Sequence, residues 1–353
     1  MDKLLGKVIG AGIIVFSLYA GWFWQSVSSF AQTPIQIKSD AIDFRIAPGS
    51  SLTAVANHLQ EDGLIEKSQL FLWMIRLKGL PRRVQSGEYE VRNGMTPIEI
   101  LNLFAYGKVK EYAFTIVEGW TFFELMKALD VNPVIKHLLK GKSNEYIMQQ
   151  LNLAGQHPEG LFLPDTYYFP EGTTDVEFLE RAHKALQQLL EQEWNQRNMD
   201  IPVKTPYKAL ILASIVEKET AVANERTRIA GVFSRRLEKH MRLQTDPTVI
   251  YGLGESFDGN LTRKDLRDKK NPYNTYRING LPPTPIAMAS RDSIRAVMHP
   301  SNDNALYFVA KGDGSHYFSA TAREHNKAVQ KYQIKHRKSD YHSTPQLVNK
   351  ESG

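Results

Sequence analysis

The sequence predicts an α+β protein in three parts: an N-terminal transmembrane helix, a small β-α-α-β module and a larger mixed α/β domain. Three observations predict it. An apolar run opens the chain, a strand–glycine–capped-helix pattern recurs three times between residues 46 and 121, and the remainder mixes helical and turn-rich stretches. At 353 residues the chain also exceeds what one compact core usually supports, so two folded domains are expected. The boundaries we place are 1–7 for the short N-terminus, 8–27 for the span, 36–110 for the module, 111–335 for the larger domain and 336–353 for a basic, flexible tail.

The span comes first. Lys3 and Lys7 precede an apolar run from Val8 to Trp24 that closes on Trp22, Phe23 and Trp24. A spanning helix needs about 20 residues, with a lower limit near 17, so the run is just long enough. Positive charge before it keeps the N-terminus in the cytoplasm, and the aromatics suit the far interface. Ser29-Phe30-Ala31 has the small residues of a signal-peptide cleavage site. The apolar run is longer than a usual signal core and ends in bulky rings, so we expect a retained anchor; either reading exports the rest of the chain.

The module follows from the repeated pattern. Its copies are Ile46-Ala47-Pro48-Gly49-Ser50-Ser51, Val91-Arg92-Asn93-Gly94-Met95-Thr96 and Ile116-Val117-Glu118-Gly119-Trp120-Thr121. Glycine supplies the turn conformation that other residues resist, and the hydroxyl then caps a helix. Thr96–Glu99 and Thr121–Glu124 have capping-box spacing, with Pro97 at the favoured first helical position. The first unit, continued through Gly87-Glu88-Tyr89, resembles the LysM fold, a small module that binds N-acetylglucosamine polymers. A structural spacer of the same fold accounts for these residues equally.

Composition excludes several function classes. With no cysteine there are no disulfides, thiolate metal sites or cysteine nucleophile. The net charge of +6 is modest, and part of it lies in Lys327, Lys331, Lys335, Arg337 and Lys338, which we read as a solvated terminus. Nothing resembles a groove-reading motif, so no nucleic-acid partner is expected. His299, His316 and His325 lack metal-ligand spacing, and no phosphate loop, dinucleotide fingerprint or serine elbow is present, so neither metal nor cofactor is expected.

In the larger domain, Val134 to Met199 reads as mostly helical, interrupted by the aromatic stretch from Glu159 to Phe169. The run Ala209-Leu210-Ile211-Leu212-Ala213-Ser214-Ile215-Val216 then forms a helix apolar enough to require burial, and Glu217 and Glu219 end it. A carboxyl at the end of a buried helix is desolvated, which raises its pKa and keeps it protonated for use as an acid. Residues two apart point to nearly opposite faces, so one of the pair enters a cleft, and periodicity does not choose between them. The alternative is an ion cluster at the helix end with Lys218, Arg226 and Arg228.

Several blocks in order carry a wider resemblance: Pro164-Asp165-Thr166; Ser214 to Thr220; Leu243-Gln244-Thr245-Asp246-Pro247-Thr248-Val249-Ile250-Tyr251-Gly252; Tyr273-Asn274-Thr275-Tyr276; Gly280-Leu281-Pro282-Pro283; and His325-Asn326. Over residues 159–330 the chain resembles the MltG, or YceG-like, family of endolytic murein transglycosylases. The resemblance implies cleavage of the β-1,4 bond between N-acetylmuramic acid and N-acetylglucosamine within glycan strands, leaving 1,6-anhydro ends, and with it peptidoglycan as partner. It also implies a single-pass inner-membrane protein with a periplasmic catalytic domain, acting beside peptidoglycan synthases. Lytic transglycosylases carry a catalytic Glu followed by Ser, and Glu219-Thr220 fits that pair where Glu217-Lys218 does not. We therefore expect Glu219 as the acid, with Glu217 as the fallback, and Gln244, Thr245, Asp246, Tyr251, Tyr273, Asn274, Tyr276 and Asp165 as substrate-binding residues. Two rivals stay open at this point. A hydrolytic muramidase would use Asp246 or Asp165 as its second carboxylate, and a non-catalytic peptidoglycan-binding scaffold would use neither.

Overall fold

The computed structural model describes residues 2–79, 84–220 and 222–335, and the expected basic tail at 336–353 lies outside them. The chain divides into two compact units, 1–112 with 168–172, and 113–167 with 173–353.

The first unit begins with α1 (Asp2–Gln32), the one helix among the described residues that is long and apolar enough to cross a membrane. Then come β1 (Ala41–Ile46), α2 (Leu52–Glu61), α3 (Ser68–Leu77), β2 (Gly87–Arg92) and α4 (Pro97–Ala105). β1 and β2 pair antiparallel, from Ala41 opposite Arg92 to Ile46 opposite Gly87. One face of this pair meets the helices. Phe44 and Tyr89, opposite each other in the ladder, both pack on Phe104 of α4, at ring-centroid distances of 5.3 and 4.8 Å. Burying a ring of this size contributes about 2–3 kcal/mol. The last turns of α1 join the same core: Val27, Ala31 and then Ile35 are buried with Phe44, Leu59 and Phe71.

The repeated pattern forms as its physics requires. Ser51, Thr96 and Thr121 each cap a helix through the hydroxyl, and the last two complete capping boxes with Glu99 and Glu124. The preceding Gly49, Gly94 and Gly119 all take the left-handed conformation, at φ 79°, 84° and 76°.

The second unit holds α5 (Phe122–Leu129), α6 (Asn144–Gln150), α7 (Asp175–Asn195), α8 (Pro206–Glu219), α9 (Arg226–Glu238), α10 (Asp246–Leu253), α11 (Arg263–Arg267) and α12 (Arg291–Met298). After these come the antiparallel pair β5 (Tyr307–Ala310) and β6 (His316–Ser319), then α13 (Ala322–Val329). A further two-stranded sheet pairs β3 (Glu111–Thr115) with β4 (Thr166–Pro170). α8 is the central helix, wedged among α7, α9, α10 and α12, with every residue from Ala209 to Val216 buried. Such a helix is apolar all round because it faces solvent nowhere along that stretch.

The expected helical content of 134–199 is only partly realised. α6 and α7 are helices, but residues 134–143 form bends and turns with one β-bridge, from Lys136 to Thr174. The reason is the buried Asp175, whose carboxylate accepts the Leu138 and Leu139 amides at 2.9 and 2.8 Å and so offers the backbone a partner outside a helix.

Candidate active site

α8 is started by Thr205, whose hydroxyl accepts the Lys208 amide at 3.2 Å, and by Pro206 in its first turn. It ends where Thr220 turns extended, at φ −147° and ψ 135°. The two carboxyls of that last turn enter different surroundings.

Glu219 faces the segment that leads into α10. Its Oε1 accepts a short hydrogen bond from the Thr245 hydroxyl. Burial pushes the Glu219 carboxyl up to about 7; the Thr245 hydroxyl draws it down, the neighbouring Asp246 raises it and Arg236 draws it down. Asp246 is exposed and accepts the Tyr276 hydroxyl at 2.7 Å. The loop bearing Tyr276 is tied to the same segment. The Thr245 amide donates to Thr275 Oγ1 at 3.0 Å, and the Gln244 amide donates to the Thr275 carbonyl at 3.2 Å. Gln244 holds a left-handed φ of 52° there, with its side chain exposed. From the other side, the buried Arg236 guanidinium donates to the Leu243 carbonyl at 2.7 Å. A carboxyl poised near neutrality thus stands beside an exposed carboxylate, on a segment fixed from two directions.

Glu217 faces α12. Its Oε2 accepts the Ser290 amide at 2.9 Å and the Ser290 hydroxyl, and its Oε1 lies 3.9 Å from Arg226. Arg226 also approaches Glu118 and Asp292, at 3.9 and 3.6 Å. Of the ion cluster considered as an alternative for this helix end, only Arg226 joins Glu217. Lys218 donates instead to the Gly119 carbonyl, and Arg228 pairs with Asp303.

The other expected residues divide. Thr245, Asp246 and Tyr276 gather at Glu219. Tyr251 and Tyr273 stack edge to face at 4.8 Å, and Tyr273 shares a 2.8 Å hydrogen bond with Thr284. Asn274 is 0% exposed, and its amide donates to the Asp265 and Asp268 carbonyls at 3.1 and 2.7 Å. That amide is fully occupied inside its own loop. Asp165 pairs with Arg291 at the start of α12, at 3.6 Å. The hydroxyl of Thr220 accepts the Val222 amide at 2.9 Å, so the hydroxyl partner of Glu219 comes from Thr245.

The YceG-like family matches residues 44–331, more than four-fifths of the chain. The chain belongs to the YceG-like family. Relatives within it include an endolytic murein transglycosylase of Bacillus subtilis, 33% identical over 313 residues, covering 82% of this chain and 84% of that protein. An endolytic murein transglycosylase of Streptococcus pneumoniae strain D39 is 25% identical over 317 residues, and the match spans 57% of its length. Among solved structures, a yceG-like protein of Listeria monocytogenes is 31% identical with a TM-score of 0.53, covering 82% of this chain and 98% of that one.

In this YceG-like chain, one carboxyl escaped the sequence reading. Glu159 is 3% exposed, accepts the Phe122 amide at 2.9 Å and the Tyr251 hydroxyl at 3.1 Å, and burial pushes it up to about 7. Its neighbour Gly160 has φ 75°, and a Cβ there would lie 2.4 Å from Pro285. A Glu-Gly pair in a turn-rich stretch looks like an ordinary surface turn. Only the distant Tyr251 and Pro285 make it an interior one.

Proposed function

We propose that this protein is a membrane-anchored lytic transglycosylase that cuts within the glycan strands of murein, with Glu219 as its acid. The observation that carries the assignment of the acid is the Glu219 carboxyl, raised to about 7 by burial and held by Thr245 beside the exposed Asp246. In this reading the protonated Glu219 gives its proton to the oxygen linking N-acetylmuramic acid to N-acetylglucosamine as that bond breaks. The Asp246 carboxylate stabilises the positive charge that develops at the anomeric carbon. Glu219, now ionised, takes the proton of the muramic C6 hydroxyl as its oxygen closes the 1,6-anhydro ring. Protons balance, and water is not consumed. Tyr251 and Tyr273 offer aromatic faces to neighbouring sugars.

The anchor is retained in this reading. Cleavage after Ala31 would remove Val27 and Ala31 from the core they share with Phe44 and Phe71, which supports a helix that stays. The first unit acts as a LysM-like glycan module. Its β-α-α-β order supports this, as does a cavity lined by Ile46, Ala47, Gly49 and Ser50 on one loop and by Val84, Gln85 and Ser86 on another.

The test is product analysis. Detergent-solubilised full-length protein is incubated with uncrosslinked glycan strands and the products are read by mass spectrometry. Internal cuts ending in 1,6-anhydro-muramic acid are expected. Reducing muramic ends would make the protein a hydrolase, with Asp246 as second carboxylate, and intact strands would make it a binding scaffold.

A further inference from the structure

We propose that α3 docks on the membrane surface, laying Trp73 and Leu77 in the headgroup layer of the bilayer that holds α1. The inference rests on the reading of α1 as a retained anchor.

The geometry begins with the length of the span. As a helix, Val8 to Trp24 covers about 25 Å, whereas the hydrocarbon core is about 30 Å thick. At that length, the minimum for a span, no apolar turn is spare, and the interface falls at the turn that holds Trp24. That turn is already inside the folded unit. From Leu5 to Trp22 the described side chains of α1 are almost all exposed, and from Phe23 onward one face turns inward through Phe23, Val27 and Ala31, spaced four apart. Bilayer and folded unit therefore compete for the same turn of helix, which leaves no gap between them.

The element that meets α1 at this level is α3. Trp73 packs edge to face on Phe23, with ring centroids 5.4 Å apart. Phe23 lies one residue inside the end of the apolar run, so Trp73 is at the depth where the run reaches the interface. Trp73 is nevertheless 40% exposed, and Leu77, one turn on, is 38% exposed. Arg76 lies over the Trp73 ring at 5.2 Å, and Lys78 follows it. An exposed Trp and Leu flanked by basic side chains, beside the exposed Trp22 and Trp24, match the chemistry of an anionic headgroup region. Phe71, Met74 and Ile75, on the opposite side of α3, make the protein core, so the helix has one face for each medium.

The absence of cysteine makes the test direct. Leu77→Cys and Phe16→Cys are introduced singly into the full-length protein and labelled with an environment-sensitive fluorophore. Each is reconstituted in phosphatidylethanolamine/phosphatidylglycerol vesicles carrying nitroxide lipids. The label at 77 should be quenched at least about twofold by headgroup-depth nitroxide and little by aqueous iodide, and the label at 16 by mid-chain nitroxide. Iodide quenching at 77 without lipid quenching, while 16 stays lipid-quenched, overturns the docking and leaves the anchor standing. Loss of lipid quenching at position 16 overturns the anchor itself.

Discussion

The Thr245 hydroxyl donates to the Glu219 carboxyl, joining the end of α8 to the residue that precedes α10. This bond separates Glu219 from Glu217, which is held by Ser290 instead. Replacing Glu219 by Gln keeps the shape and an acceptor for Thr245 but removes the transferable proton. Turnover of glycan strands should fall by about 10²–10⁴, with an unchanged circular-dichroism spectrum and a melting midpoint no lower than that of the unsubstituted protein. Full activity in this variant would sink the assignment.

Glu217→Gln should behave in the opposite way. The variant loses the charge that receives the Ser290 amide and hydroxyl and faces Arg226. Weakening a buried, charge-assisted contact of this kind costs about 1–3 kcal/mol. A lower melting midpoint is expected, with strand cleavage retained below it. An inactive but fully stable Glu217→Gln protein would transfer the acid's role to that residue.

Two neighbours should move the pH profile in opposite directions. An acid with a pKa of about 7 is protonated below that value, so activity should decline as pH rises through about 7. Asp246 raises the Glu219 pKa and the Thr245 hydroxyl lowers it. The alkaline limb of kcat/KM should therefore shift to lower pH in Asp246→Asn and to higher pH in Thr245→Val. Shifts of the same sign in both variants would show that neither acts through the Glu219 proton.

Local rules made some of this legible in the sequence. The three glycine turns and their caps depend on residues within a few positions of one another, and Ser51, Thr96 and Thr121 all cap as their spacing requires. The burial of α8 followed from a run of eight residues, 209–216, that is apolar except for Ser214. What escaped depends on partners far along the chain. The role of Asp175 in unwinding residues 138–139 rests on contacts more than thirty residues away. Periodicity could not separate Glu217 from Glu219, because their difference lies in Ser290 and Thr245 and not in the helix they share. Asn274 illustrates the same limit, since an amide beside two tyrosines reads as a sugar contact until its carbonyl partners are known.

Glu159 supplies a prediction about stability. Its carboxyl titrates near 4.5 in an unfolded chain and near 7 in the folded one, because burial disfavours its charge. Below pH 4.5 both states are protonated and folding loses nothing. As pH rises through the interval between the two values the unfolded chain ionises first, so stability is lost, by about 3 kcal/mol at most, until pH passes 7. Glu219 adds a loss of the same sign over the same interval. Glu159→Gln keeps an acceptor for the Phe122 amide and removes one of the two contributions. The fall in melting midpoint between pH 5 and pH 8 should shrink by roughly half in this variant. The result that counts against it is a fall as steep as in the unsubstituted protein, because Glu159 would then be ionised in the folded chain across the whole range.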